Sequence, residues 1–362
     1  MSNPINPTEG KRLDQLQFLR FIAFFFVFSL HVSQWTQNWF NVTNLCLSSI
    51  SFFFILSGFV SGYNASNRTI ELTWESWKKS MLKRLKKIYP LYILTLAVSL
   101  YFYGGLSQAL IYTDYGMIES LTRKFIKCAL MLQSWYPINY FDIYPIAWFI
   151  STIIFLYAVS LPILYIGKKI LGKENGTKLL AVTTVCVFSF TLCYCYFTKD
   201  LNTEYWQYVL PVSRLGEFTL GICLGLLFHP ASEYLSKSSA NNPVIFTVAE
   251  VAVLIGYFVY ANSITEFSCG TRIFSWIIPN LLLIAVFMNG KGYISKLFST
   301  KPLLLLGNAT LELYLVHILV IKGFLAYNGS LDISDYALTI NFWMCLLVTT
   351  AVGLFIHKQT TK

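Results

Sequence analysis

FLRFIAFFFVFSLHVSQW, residues 18–35, decides the architecture. It belongs to an apolar run, residues 13–34, of roughly 20 residues, the length that spans a hydrocarbon core of about 30 Å. No small-x-small cleavage signal follows, so the run reads as a retained membrane span and not as a signal peptide. Yet it carries Arg20 and His31. An ionised side chain at mid-bilayer costs about 3 kcal/mol on insertion scales, and such residues usually face a bundle interior or a water-filled cavity. Eleven residues at about 100° each make three turns plus about 20°, so the two side chains share one helix face, about 16 Å apart along the axis.

The rest of the chain repeats this pattern. Of 362 residues, 56% are hydrophobic and only 12% charged, with mean hydropathy +0.57. A soluble domain is nearer a quarter charged. The expected fold is all-α: one polytopic membrane helix bundle over residues 1–362. Its spans fall near 13–34, 43–63, 88–104, 146–166, 178–197, 209–228, 244–261, 273–289, 304–326 and 337–357. Residues 64–87 form a basic amphipathic segment on the cytoplasmic side. Residues 105–145 form an outer loop, with CALMLQSW (128–135) as a short re-entrant piece. With the N-terminus inside, inner segments hold 19 of the 27 lysines and arginines and outer segments hold five. That bias places both termini in the cytoplasm. It also accounts for the net charge of +10 without nucleic acid as a partner. The eight cysteines lie mostly in apolar runs and show no CxxC or Cys/His spacing, so reduced, buried thiols and no metal are expected. No appended soluble domain is expected.

The intramembrane ionisable residues are the candidates for chemistry: Arg20, His31, Arg214, Glu217, Glu312, His317 and Lys322. Arg20 suits an anion entering from the cytoplasm, and His31 suits a base at the far end of a long substrate. In ELTWESWKKSMLKRLKKIYPLY (71–92), Trp74, Trp77, Met81, Leu85 and Ile88 recur at helical spacing beside Lys78, Lys79, Lys83, Arg84, Lys86 and Lys87. This reads as an amphipathic helix on the inner face running into the third span, its cations serving either anionic lipid or a phosphate-bearing ligand. In RLGEFTLGICLG (214–225), Arg214 and Glu217 stand at i,i+3 and can pair, while Gly216, Gly221 and Gly225 permit close helix approach. In LGNATLELYLVH (306–317), Glu312 and His317 point about 140° apart and need not share a site.

These residues resemble the bacterial membrane acyltransferase-3 family, O-acetyltransferases of cell-surface glycans. Arg20-x10-His31 resembles its first-span signature, and SFFFILSGF (51–59) its FFxLSGF motif with Ser57 and Gly58. KRLKKIYPLY (83–92) resembles RxxR-I-x-P-x-Y, RLGEFTLGICLG resembles R-x-x-EF-x-x-G, and LGNATLELYLVH resembles LG-x-x-S-x-x-(I/L)YLxH. Five matches run in order from residue 13 to about 326. Two departures stand out. Lys87 replaces the second arginine of RxxR, keeping charge but losing the bidentate fork. Ile153, in AWFISTIIFLY (147–157), stands where many members carry a glutamate.

The resemblance implies acetyl-CoA or another short acyl-CoA as co-substrate and a glycan hydroxyl as acceptor. Arg20, Lys83, Arg84, Lys87 and Ser57 would hold the donor, the pantetheine arm reaching toward His31. Arg214, Trp148, His317 and Glu312 would line the acceptor side. His31 would act as general base, with Glu217 orienting it. A bacterial inner-membrane location follows, with membrane lipid and other polysaccharide-biosynthesis enzymes as partners. Two readings compete. A transporter or flippase for a lipid-linked sugar also explains buried charge and a cavity, and a member that keeps the fold without activity would tolerate Lys87 and Ile153.

Overall fold

The computed structural model describes residues 13–33, 42–102, 105–237, 242–264, 274–328 and 335–361. Among them no strand occurs. The helices are α1 (Gln15–His31), α2 (Val42–Ser66), α3 (Trp74–Phe102), α4 (Leu106–Ile111), α5 (Tyr115–Ala129), α6 (Ala147–Leu171), α7 (Gly176–Phe197), α8 (Leu215–Lys237), α9 (Pro243–Ser263), α10 (Ile277–Phe287), α11 (Tyr293–Phe298), α12 (Lys301–Asn308), α13 (Thr310–Asn328) and α14 (Asp335–Thr360).

Among the described residues, seven helical segments are long and apolar enough to cross a membrane: Val42–Ser66, Trp74–Phe102, Ala147–Leu171, Gly176–Phe197, Pro211–Phe228, Pro243–Ser263 and Thr339–Thr360. The pair Lys301–Asn308 and Thr310–Ala326, bent by 64°, makes an eighth if it is one broken span. Each of the ten expected spans coincides with a helical segment, but α1, at 17 residues, and α10, at 11, are shorter than a span. At 1.5 Å per residue α10 is about 16 Å long. At its end Gln15 of α1 satisfies terminal carbonyls, donating from Nε2 to Phe287 O at 2.8 Å and Met288 O at 3.3 Å. The ninth expected span breaks at Ala309, where a Cβ on Gly307 would collide with the Gln17 carbonyl of α1.

Three further stretches differ from the sequence expectation. The basic segment and the third span form one unbroken 29-residue helix, α3, with Pro90 inside it. The sixth span starts with a π-turn (Glu204–Val209) and a 3₁₀ turn (Pro211–Arg214) before α8 begins. The outer loop is not structureless: α4, the amphipathic α5 and a 3₁₀ turn (Gln133–Trp135) fill it. The 128–135 piece dips between α3 and α6. Tyr92 Oη donates to Cys128 O at 2.7 Å, Gln133 Nε2 to Ala147 O at 2.6 Å, and Ser151 Oγ to Met131 O at 2.5 Å. Tyr92 lies ten residues, about 15 Å, below the C-terminal end of α3, so the piece inserts well down that helix.

The tightest seam is α2 on α8. A Cβ at Gly58, Gly62, Gly221 or Gly225 would collide with the backbone of the facing helix. Two GxxxG pairs therefore face each other, backbone to backbone. Contacts also fix helix polarity. The start of α2 meets the end of α9, Asn44 Nδ2 donating to Ala261 O (2.7 Å) and Ile264 O (2.9 Å). The start of α10 lies there too, through Asn280 Nδ2 to Ser48 O at 3.0 Å. The opposite face gathers the starts of α1 and α13 and the ends of α10, α12 and α14, joined by Gln15–Phe287, Gln17–Gly307 and Glu312–His357.

Candidate active site

Where α1, α2, α3, α6 and the α12–α13 bend converge, a cavity of ≈ 180 Å³ opens. Arg20 of α1, Ser57 of α2 and Lys87 of α3 all line it. Three residues far apart in the chain, each proposed from sequence to hold one ligand, meet in one space. Phe53, Phe149, Tyr157 and Tyr314 supply aromatic walls, and Asn308 and Thr310 add polar atoms. Ile153 lines the same cavity, so the apolar substitution noted in the sequence changes its wall directly. Arg20 is held by Gln17, Nη1 donating to Oε1 at 3.0 Å. Asn308 and Thr310 flank the bend at Ala309 and both line the cavity.

Arg84 is not among the residues lining this cavity. It braces the wall: Nη1 donates to Ser160 Oγ (2.9 Å) and Tyr157 O (3.3 Å), Nη2 to Ser61 Oγ (3.4 Å), and the guanidinium lies 4.1 Å from the centroid of the Tyr157 ring. It ties α2, α3 and α6 together and orients a cavity-lining ring. Lys83 is exposed and outside the cavity lining.

At the far end of α1, the His31 ring lies 5.3 Å from that of His317, a fully buried residue of α13. His317 Nδ1 lies 2.6 Å from Tyr314 O. A carbonyl only accepts, so Nδ1 carries a proton, and in the neutral ring Nε2 keeps its lone pair. That Nε2 is buried with no hydrogen-bond partner. Phe24 packs edge-on against His317 at 5.6 Å, and the Tyr314 ring lies 5.5 Å from it. Tyr314 thus belongs both to the cavity wall and to the histidine pair. Its hydroxyl donates to Ile146 O at 3.1 Å, and the Tyr144 hydroxyl donates to Leu315 O, pinning the start of α6 beside the pair.

Among the described residues no hydrogen bond joins Glu217 to His31. Glu217 and Arg214 are both fully buried and pair with each other, Arg214 Nη1 to Glu217 Oε2 at 3.2 Å. Arg214 also donates from Nε (2.9 Å) and Nη2 (2.7 Å) to Tyr208 O, a carbonyl of the π-turn. The pair therefore caps the broken start of the sixth span, a break the apolar pattern did not reveal. Trp148 packs here, its ring 4.5 Å from that of Tyr208, and does not line the cavity. Glu312 bonds His357 of α14 at 3.0 Å and likewise stays outside the lining.

Two ionisable residues, His357 and Glu250, are absent from the candidates that the sequence supplies. His357 lay at the edge of a span. Glu250 lay alone in the apolar run 244–261. Buried at 1% exposure, it caps α11, accepting from Ile294 N (3.1 Å), Ser295 N (3.4 Å) and Ser295 Oγ (2.5 Å). A lone glutamate in a greasy run was the available signal for it. Among the described residues, no cluster of His, Cys, Asp or Glu could hold a metal.

The model of a family described as an acyltransferase domain matches residues 13–358. The chain is also similar to "Acyltransferase MdmB" of Streptomyces mycarofaciens, 26% identical over 346 residues, covering 87% of this chain and 81% of that protein. No solved structure matches it.

Proposed function

The chain belongs to the acyltransferase domain family, and from that premise we propose that it moves an acetyl or other short acyl group from cytoplasmic acyl-CoA to a hydroxyl of a cell-surface or lipid-linked glycan, in a bacterial inner membrane. The observation that carries this reading is the convergence of Arg20, Ser57 and Lys87 on one cavity whose wall residue Tyr314 touches His317, itself in ring contact with His31. Two cations at one end suit phosphates. The aromatic walls suit the uncharged pantetheine arm, and an imidazole pair about eleven helical residues away suits the thioester.

In this scheme His31 removes the proton from the acceptor hydroxyl as its oxygen attacks the thioester carbonyl. The C–O bond forms and the C–S bond breaks. The CoA thiolate leaves, and the proton held on His31 returns to the sulfur. His317 is a positioning residue: its Nδ1–H is committed to Tyr314 O, so its Nε2 can accept from the His31 ring and hold it in one tautomer. Arg214–Glu217 and Glu312–His357 support the helices that carry these groups.

The test uses membranes supplied with labelled acetyl-CoA. His31→Ala is expected to abolish transfer of label to glycan, with protein level and thermal midpoint unchanged. Full activity in that variant overturns the mechanism. Substrate movement without thioester turnover in wild type favours the transporter reading.

A further inference from the structure

An apolar groove of ≈ 680 Å³ runs along the outer side of the α3–α6 seam, with the re-entrant 128–135 piece as its third wall. Tyr89 and Pro90 of α3, Leu130 and Leu132 of the re-entrant piece, and Ile154 and Phe155 of α6 line it. Lys86 is the charged residue in that lining. Tyr89, Leu130 and Leu132 are exposed, so the groove opens sideways toward the bilayer. Its far end is firm: the Trp135 ring packs edge-on against Phe155 at 5.0 Å, and Tyr205 Oη donates to Trp135 O at 2.9 Å.

Lys86 stands where a charged stripe meets this groove. At about 100° per residue, Lys79, Lys83, Lys86 and Pro90 fall within about 60° of one another on α3. All three lysines are exposed. Such a stripe belongs to an amphipathic helix on a membrane surface, and Lys86 is its last cation before the apolar lining begins at Pro90. The groove also backs the candidate active site. On α3, Lys86 and Tyr89 line the groove while Lys87 and Ile88 line the cavity; on α6, Ser151 and Ile154 line the groove while Ile150 and Ile153 line the cavity. The two spaces are thus the two sides of one pair of helices.

We infer that the groove binds one anionic phospholipid, its phosphate on Lys86 and an acyl chain laid against Leu130, Leu132, Ile154 and Phe155. A lining with a cation at one end and apolar side chains along its length complements a molecule charged at one end and apolar along its length. A zwitterionic headgroup would bring a second positive charge to Lys86, so the site favours a headgroup that is anionic overall. A chain that moves from bulk lipid into the groove gains close packing and no hydrophobic transfer, which leaves the choice among lipids to the phosphate contact. The bound lipid stands behind the wall that carries Lys87 and Ile153, whatever donor and acceptor the cavity takes.

The test is native mass spectrometry of the full chain in a nonionic detergent, titrated with dioleoyl-phosphatidylglycerol, dioleoyl-phosphatidylcholine or glycerol phosphate. Wild type should bind one phosphatidylglycerol with a Kd about fivefold or more below that for phosphatidylcholine, the worth of one lysine beside an anionic lipid. Glycerol phosphate, which has no chain, should bind far more weakly than either. Lys86→Gln should erase the preference between the lipids. Lys78→Gln removes an exposed lysine of the same run that lies outside the lining, and should keep it. Ile154→Trp, which fills the groove, should weaken both lipids. Equal affinity of wild type for the two lipids overturns the site. So does a preference lost alike in Lys86→Gln and Lys78→Gln, which would assign it to diffuse surface charge. Glycerol phosphate binding as tightly as the lipid, or unchanged lipid affinity in Ile154→Trp, would show that the apolar groove is not used and overturns the proposal as well.

Discussion

Arg214 and Glu217 show how a charge is kept inside an apolar bundle. Arg214 has three donating atoms engaged, two on Tyr208 O and one on Glu217. Removing one partner of such a pair leaves the other charge uncompensated, at a cost of about 3–5 kcal/mol. Glu217→Ala is therefore expected to lower the thermal midpoint of the purified protein sharply, whereas His31→Gln, at a site with no ion pair to break, leaves the midpoint near wild type while eliminating transfer. Similar midpoints for the two variants would contradict the division between a structural carboxylate and a catalytic imidazole. At this scale, Arg20, Ser57 and Lys87, which the sequence motifs single out, line one cavity. Arg84 was harder, because its role depends on the Tyr157 and Ser160 carbonyl and hydroxyl groups of a helix more than seventy residues away. The Arg214–Glu217 pair was readable from its i,i+3 spacing, but the second partner of Arg214, the Tyr208 carbonyl, depends on a π-turn, and hydrophobic periodicity carries no sign of one.

Among the elements, α2 and α8 form the least adjustable contact. Association of apolar helices in lipid draws on close packing, since lipid tails are as apolar as leucine. Here four glycines let two backbones touch. Gly221→Ala is expected to abolish recovery of monodisperse protein, because its Cβ would strike the Ile55 carbonyl of α2, a backbone atom with no freedom to yield. Gly256 on α9 is the control: nothing lies within 4 Å of a Cβ there. Gly256→Ala should be neutral or stabilise by up to about 1 kcal/mol, as alanine exceeds glycine in helix propensity. Fluorescence-detected size exclusion after heating reads both. The α8 half of this seam was visible as GxxxG in the sequence. The α2 half begins at Gly58, inside SFFFILSGF (51–59), and its second glycine, Gly62, lies beyond that motif. The broken ninth span was not visible, because LGNAT differs little from a continuing helix until Gly307 meets the Gln17 carbonyl.

For the whole molecule, helix polarity and charge distribution point the same way. One face gathers the start of α1, the ends of α10 and α12, and the pairing of Glu312 near the start of α13 with His357 near the end of α14. The ends of α2 and α6 meet where Lys168 bonds Ser66 O. Alternation along the chain assigns this end to the same face as the start of α1, and the inner segments hold 19 of 27 cations. Among the described residues seven helical segments, or eight with the bent pair, are long and apolar enough to cross, and α1 and α10 are shorter than a span. The 16 Å of α10 falls well below a hydrocarbon core of about 30 Å. It is relieved by buried partners at both ends: Asn280 bonds Ser48 O and Tyr257 near its start, and Gln15 caps its end. A short helix shielded by α1, α2 and α9 need not match the bilayer by itself, since its ends are satisfied by protein. Cysteine-accessibility labelling in a background with Cys186 and Cys193, the exposed cysteines among the described residues, and Cys269 replaced tests this arrangement. Single cysteines at Lys169 and Lys296 should react only with reagent admitted to the cytoplasmic side. Cysteines at Glu119 and Asn262 should react only with impermeant reagent from outside. Asn262 and Lys296 flank α10, so finding both on one side would show that α10 does not cross and would reassign the sides of the loops that follow it.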